Sequence, residues 1–419
     1  MFQSASPTVA SAHPGMSFRE FVAFIAALMA INALAIDIML PALPAMADAL
    51  GITVENQRQY IIAGYMFGFG VAQLVYGPLS DRFGRRPVLI GGMLVFVVMS
   101  VAAAFATDFA TIVGARVLQG VCAAASRVLS VSIVRDCYSG RRMARVMSLT
   151  FVVFLAVPIL APSIGQLILL VAPWPVIFYF LAAFGLLVVG WGWLRLPETL
   201  PPERRRPVSP RAVFSAAREV ATNRYALGYT LAASLMYGGL TGYINSVQQI
   251  FADVFAAPDL FPMVFAATAG TMAIGSFFNS QIVERLGTRR VSHTALIAFI
   301  AISAVHAAVA AAGFETMLIF ALFLAAAMGC FSLASSNFNA MAMEPVGHIA
   351  GTAASVQGFM STIGGTLLGL VIGQSFNGTT LPVVLGFLLL GLASIGTVLI
   401  VERGKLFRPQ HGGERRPAQ

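Results

Sequence analysis

The chain has 419 residues, of which 58% are hydrophobic and only 10% are charged. Soluble domains carry about 25% charged residues, so this composition excludes a water-soluble fold and predicts an all-α protein that crosses a membrane many times. The formal net charge is +9, but most basic residues fall in loops on one predicted side of the membrane, which explains the charge without a nucleic-acid partner.

Twelve apolar segments are long enough to span a bilayer, and they follow one another along most of the chain. They cover residues 20–42, 59–79, 87–106, 110–134, 143–171, 174–196, 224–251, 260–283, 291–312, 315–337, 348–374 and 381–401. An even number of spans places both termini on one side. The excess of basic residues on that side predicts that it is the cytoplasm.

The longest polar stretch divides the spans into two groups of six. The predicted organisation is therefore a cytoplasmic tail at 1–19, a six-helix bundle at 20–196, a cytoplasmic linker at 197–223, a second six-helix bundle at 224–401 and a cytoplasmic tail at 402–419. The linker is rich in proline and arginine. Two interpretations of its arginines stay open, namely binding of anionic lipid headgroups and a purely solvated topology signal.

A short charged turn occurs twice in the chain. Residues 77–86 and 279–290 are imperfect copies in which Asp81 aligns with Glu284, an offset of 284 − 81 = 203, close to half of the chain length. Each copy lies between two apolar segments. A repeat of this length predicts two similar membrane halves.

The motifs of the first half resemble those of the major facilitator superfamily. Residues 77–86 match its G-x-x-x-D-R-x-G-R-R signature at every defined position, and 116–120 match R-x-x-Q-G. Residues 161–166 resemble the antiporter signature G-P-x-x-G-G, although Ala161 and Gln166 replace glycines. The sequences around Asp37 and at 196–200 are similar to the Bcr/CflA drug-resistance branch. The resemblance implies twelve helices in two pseudo-symmetric six-helix bundles.

The resemblance also implies a gating role for the charged turns, because opposite charges at helix ends can hold two helices together. The residues assigned to gating are Gly77, Asp81, Arg82, Gly84, Arg85, Arg86 and Asp136 in the first half and Glu284 and Arg285 in the second. Pro158, Pro162 and Gly165 of the antiporter signature are expected to allow bending and close helix packing.

Asp37 is the only carboxylate well inside a predicted span, where an ionised carboxylate costs several kcal/mol unless it is paired or protonated. At about 1.5 Å per residue, Asp37 lies about 25 Å from the cytoplasmic end of its helix and Arg116 about 10 Å below the outer face. We expect a pair between them, direct or through water, that couples transport to protons. The alternative is that Asp37 caps the helix break at Pro41 or simply fixes helix packing.

Polar residues on helix faces mark a candidate substrate pocket. In the seventh span, four of them recur at helical spacing, which indicates either pocket lining or hydrogen bonding between helices. The predicted pocket residues are Gln119, Tyr237, Thr241, Asn245 and Gln248. Arg127 either extends the polar stripe of Arg116 or reaches the cytoplasmic surface, and His306 is either a proton relay or a packing residue.

The energy source follows from what the sequence lacks. The only lysine, Lys405, lies in no G-x-x-x-x-G-K-[ST] motif, so ATP hydrolysis is excluded and an ion gradient remains. The leading hypothesis is a monomeric, proton-coupled exporter of amphipathic drug-like molecules in a bacterial inner membrane, without cofactor, metal or enzymatic activity. The alternatives are a dedicated metabolite exporter, a symporter of the same fold, and a non-transporting sensor.

Overall fold

The computed structural model describes residues 15–205, 207 and 209–407. It is built from twelve long helices, and parts of both predicted tails lie outside the described residues. The helices are α1 (Phe18–Asp37), α2 (Tyr60–Phe83), α3 (Arg85–Ala104), α4 (Phe109–Cys137), α5 (Gly140–Val171), α6 (Pro175–Arg195), α7 (Arg224–Gln249), α8 (Phe261–Leu286), α9 (Thr288–Ala311), α10 (Met317–Met343), α11 (Ala350–Gln374) and α12 (Leu381–Val401).

The chain divides into two compact units, Met1–Phe214 with α1–α6 and Ser215–Gln419 with α7–α12. Inside the first unit, α1 packs on α5, α2 on α4 and α3 on α6. Inside the second, α7 packs on α11, α8 on α10 and α9 on α12. Each helix thus has the same neighbours as the helix six positions later. The predicted fold class, an all-α protein of two pseudo-symmetric six-helix bundles, is confirmed.

Membrane-spanning character is visible in the helices themselves. Among the described residues, ten stretches are long and apolar enough to cross a membrane, and one of them, Met317–Gln374, contains both α10 and α11. Only α7 falls outside these stretches, because its tyrosine, threonine, asparagine and glutamine side chains lower its hydropathy. Most residues of α7 are nevertheless buried, so its polar groups face protein.

The repeated charged turns have the same backbone conformation. Gly84, between α2 and α3, has φ 100°, and Gly287, between α8 and α9, has φ 83°. Both amides donate to the carbonyl four residues earlier, at Ser80 and Val283 respectively. Side chains with a Cβ rarely adopt such angles, which explains why glycine occupies this place in both copies.

Two helix ends position the candidate site. The helix α1 ends at Asp37, because Pro41 has no N–H to donate to the Asp37 carbonyl four residues before it. The helix α4 begins after Asp108, which accepts from the Thr111 N–H at 2.9 Å. Hydrogen bonds from the hydroxyl and backbone of Thr111 hold the pKa of Asp108 below its usual value. This cap fixes the start of the helix that carries Arg116.

Candidate functional site

Asp37 occupies an apolar position at the end of α1. Asp37 is only 4% exposed. Within the described part of the chain, its carboxylate has no ion-pair or hydrogen-bond partner. The carboxylate therefore lies where the protein gives its charge no direct compensation. Such a group is sensitive to any change in its surroundings.

Arg116 is fully buried in α4 and connects three helices. Its Nη2 donates to the Ala35 carbonyl on α1 at 2.9 Å, and its Nε donates to the Ile61 carbonyl on α2 at 3.2 Å. The guanidinium also lies over the Tyr65 ring, 4.4 Å from the centroid. The direct form of the expected pair with Asp37 is absent from this conformation, because the donors of Arg116 are directed to backbone carbonyls. Arg116 is still bound to the last turn of α1, two residues from Asp37.

Gln119 belongs to this network. Its Oε1 accepts from Arg116 Nη1, and its Nε2 donates to Ser100 Oγ on α3 at 2.6 Å. Both ends of the amide are engaged in this conformation, and the substrate contact of Gln119 stays a prediction. Gln119 instead orients Arg116 and connects it to α3.

A second branch of the network was missed by the sequence analysis. The Tyr65 hydroxyl donates to Asn32 Oδ1 at 3.1 Å, and Asn32 Nδ2 donates to Ser126 Oγ at 3.1 Å. All three residues are buried. A polar side chain within an otherwise apolar span, such as Asn32 in α1, is the signal that could have found them.

The glycine of the antiporter signature lies against the end of α1. A Cβ on Gly165 would collide with the Ile38 carbonyl oxygen and would lie 3.1 Å from Pro41 Cγ. The backbone of α5 therefore touches the helix break that follows Asp37. Pro162 and Pro158 lie about one and two turns before this contact, respectively, inside α5. The three signature residues thus belong to the segment of α5 that packs on the Asp37 region.

The first charged turn forms a compact ionic cluster around Arg85. Its Nε lies 3.1 Å from Asp136 Oδ2 at the end of α4, and its Nη1 lies 2.6 Å from Asp81 Oδ1. The Arg85 side chain is only 4% exposed. The cluster therefore joins the α2–α3 turn to α4. Of the other predicted members, Arg82 is exposed, and the Gly77 carbonyl accepts from the Ser80 hydroxyl at 2.9 Å.

Glu198, which sequence analysis noted only as part of a motif, completes this cluster. Its carboxylate accepts from the Arg85 N–H at 2.9 Å and from the Arg86 N–H at 3.3 Å. These are the first amides of α3, where the partial positive charge of the helix favours an anion. Arg86 Nη2 donates to the Trp193 carbonyl at 2.6 Å. The segment after α6 is thereby bound to the start of α3.

The second charged turn is built differently from the first. Glu284 and Arg285 are exposed, and neither forms an ion pair with another described residue. The buried pair is Arg289 with Glu402, at 2.6 Å, and Tyr229 donates to the same carboxylate at 2.5 Å. By the offset of 203, Arg289 corresponds to Arg86. The gating role of Glu284 and Arg285 stays a prediction, and the buried ion pair of this half is Arg289 with Glu402.

The polar face of α7 separates into two parts. Thr241 Oγ1 donates to the Gly365 carbonyl on α11 at 2.6 Å, and a Cβ on Gly365 would collide with the Tyr237 ring. Thr241 and Tyr237 therefore make interhelical contacts with α11, which supports the interhelical interpretation, and their role as pocket residues stays a prediction. Asn245 and Gln248 are buried, and neither Asn245 Nδ2, Asn245 Oδ1 nor Gln248 Oε1 has a hydrogen-bond partner in the described chain.

The two residues whose roles stayed open lie in different environments. Arg127 is exposed, whereas Arg116 is fully buried. His306 is buried in α9, where its Nε2 lies 2.5 Å from Glu315 Oε1 and its ring stacks on Phe323 at 4.8 Å. His306 thus has an acidic neighbour as well as apolar packing.

Comparison with known proteins identifies the family of the chain. The model of the Major Facilitator Superfamily matches residues 25–369. The chain belongs to this superfamily. The xylose transporter XylE of E. coli has the same fold, with a TM-score of 0.74 over 95% of this chain and 99% of that chain at 11% identity. The human organic anion transporter MFSD10 gives a TM-score of 0.64, covering 92% and 100%, at 18% identity.

Sequence relatives include drug-resistance proteins. The chain is 31% identical to the uncharacterized MFS-type transporter YdgK of Bacillus subtilis, over 91% of this chain and 94% of the relative. It is 29% identical to a bicyclomycin resistance protein homolog of Haemophilus influenzae, over 83% and 87%. It is 28% identical to the multidrug resistance protein MdtL of Salmonella heidelberg, over 90% and 92%. These relatives are those expected for the Bcr/CflA branch.

Proposed function

We propose that the protein is a proton-coupled exporter of amphipathic drug-like molecules that works by alternating access as a monomer. Relatives named for bicyclomycin and multidrug resistance support the class of cargo. Proton coupling is proposed because Asp37 is a buried carboxylate that has no ionic partner among the described residues.

The residues around Asp37 give the coupling a physical basis. Arg116 holds the Ala35 carbonyl, and Gly165 packs against the Ile38 carbonyl, so the backbone on both sides of Asp37 is in direct contact with α4 or α5. A shift of either helix changes the distance between Asp37 and the Arg116 guanidinium. Since a nearby cation stabilises a carboxylate, this movement couples the protonation of Asp37 to conformation.

The test is the substitution Asp37→Asn, which keeps the size of the side chain and removes its charge. We expect at least a tenfold loss of resistance in a drug-susceptibility panel, measured in a host without its own pumps. We also expect loss of pH-gradient-driven efflux from inside-out vesicles. Asp37→Glu should retain part of the activity, and Asp48→Asn is the matched control because Asp48 is an exposed carboxylate just after the same segment.

Each other outcome has a defined meaning. Efflux that stays gradient-driven and pH-dependent in Asp37→Asn would show that Asp37 is not the proton carrier. A wild-type protein that confers no resistance but exports one cellular compound would favour the dedicated metabolite exporter. Purified protein that moves no solute in vesicles would favour the sensor.

We propose a bacterial inner membrane as the location, with both termini in the cytoplasm. The bacterial origin of the sequence relatives and the distribution of basic residues support this orientation. Alkaline phosphatase, which is active only outside the cytoplasm, should be inactive when fused after residue 402 and active when fused in the loop at 106–108. The reverse pattern would overturn the orientation.

A further inference from the structure

The segment between the two bundles contains a helix that is not one of the twelve spans. This linker helix, Pro210–Thr222, has 13 residues, which makes it about 20 Å long and too short to cross a bilayer. Its two sides differ strongly in polarity. Ala216 and Val220 are 4% and 0% exposed, whereas Phe214 is 73% exposed.

The exposed phenylalanine is flanked by cations. Arg211 lies three residues before Phe214 and Arg218 four residues after it, so at about 100° per residue both lie within about 60° of it around the helix. Both arginines are exposed, and neither has a carboxylate within ion-pair distance in the part of the chain that the structure describes. A large apolar side chain between two uncompensated cations thus forms one edge of the linker helix.

The acidic residue of the helix lies elsewhere on its circumference. Glu219 is about 140° from Phe214, and its carboxylate lies 2.9 Å from His348 Nε2. The helix therefore has a protein-bound side with Ala216, Val220 and Glu219, and an outer edge with Phe214, Arg211 and Arg218. The positive charge is concentrated on the edge that the protein leaves uncovered.

We propose that this edge binds the anionic phospholipid headgroups of the cytoplasmic leaflet. Arginine side chains near a membrane attract anionic headgroups, and an exposed aromatic side chain of an amphipathic helix inserts at the boundary between headgroups and acyl chains. Both ends of the linker join spans, so the helix is held close to a membrane surface. The distribution of basic residues makes that surface the cytoplasmic one.

The charge of the lipid is tested first by native mass spectrometry of the full-length protein. We expect wild type to retain phosphatidylglycerol more strongly than phosphatidylcholine. The double substitution Arg211→Gln with Arg218→Gln should weaken phosphatidylglycerol binding about tenfold to thirtyfold. The matched control is Arg141→Gln with Arg142→Gln, which removes two exposed arginines at the start of α5 and should have a smaller effect.

The position of the edge is tested by a nitroxide at residue 214, placed by Phe214→Cys in a Cys330→Ser background. Cys122 and Cys137 are buried and should not label. In phosphatidylglycerol vesicles we expect the nitroxide to be more accessible to oxygen than to a water-soluble nickel complex. A nitroxide that stays accessible to the nickel complex would overturn the proposal. Equal retention of phosphatidylglycerol and phosphatidylcholine would also overturn it. The same holds if the control variant loses as much phosphatidylglycerol binding as the double substitution. A nitroxide that is immobilised by a cytosolic protein and not by phosphatidylglycerol vesicles would overturn it as well.

Discussion

Arg116 satisfies more hydrogen-bond acceptors than a lysine at the same place could reach. Its planar guanidinium serves Ala35 O, Ile61 O and Gln119 Oε1 at once and lies on the Tyr65 ring. These acceptors belong to three different helices or turns. The side chain therefore acts as a junction of α1, α2 and α4, and its geometry depends on the fixed fork of its donors.

Substituting Arg116→Ala should destabilise the protein strongly, because three buried acceptors each lose a hydrogen bond from a charged donor, and such a bond is worth roughly 1.5–3 kcal/mol. We expect a fall of several degrees in the melting temperature of the purified protein, measured by intrinsic tryptophan fluorescence, and loss of transport. Arg116→Lys should lose transport with a smaller thermal effect. The control is Arg127→Gln on the same helix, where the side chain is exposed; an equal destabilisation there would contradict the junction role.

At the scale of helices, the contact between α1 and α5 depends on a missing side chain. Gly165→Ala introduces a Cβ against the Ile38 carbonyl oxygen, so α5 has to move away from the end of α1. Such overpacking costs typically about 1–3 kcal/mol. We expect impaired drug efflux from cells together with a lower melting temperature. Gly114→Ala in α4, where nothing lies within 4 Å of the added Cβ, should leave both unchanged.

The start of α9 offers a second test at this scale. Glu402→Gln leaves the Arg289 guanidinium, whose side chain is 8% exposed, without its counter-ion, and breaking one side of a buried pair typically costs about 3–5 kcal/mol. Glu284→Gln removes an exposed carboxylate and should cost less than 0.5 kcal/mol. The measurement is thermal melting of both variants. Equal melting temperatures would show that Glu284 contributes as much as Glu402.

The same elements show what sequence could predict. Apolar run length predicted the spans, and the repeated glycine predicted a tight turn, because these features depend on residues close together in the chain. The partners of Arg116 could not be predicted, since two of them are backbone carbonyls, which every residue possesses. Glu284 was assigned to gating because it aligns with Asp81. The pairing of Arg289 with Glu402 could not be predicted, because it depends on where the segment after α12 packs.

On the scale of the whole molecule, the two bundles share their helix neighbours but differ in buried charge. The first buries Asp37 and Arg116 within its spans, whereas the corresponding part of the second buries neutral groups such as Asn245 and Gln248. Their unpartnered amide atoms offer donors and acceptors to a neutral cargo. This difference supports the proposal that the first bundle exchanges the proton and that the second bundle contacts the cargo through neutral side chains.

Glu198 has a consequence for the synthesis of the protein. It binds the first amides of α3 across 113 residues of chain, and it lies beyond α6, at the start of the segment that leads to α7. While the ribosome is still making α4, α5 and α6, the start of α3 lacks this anion. The first bundle can therefore reach its final form only after its sixth helix is complete and the connecting segment has emerged. Translation of that segment marks the earliest moment at which this half of the protein is fully assembled.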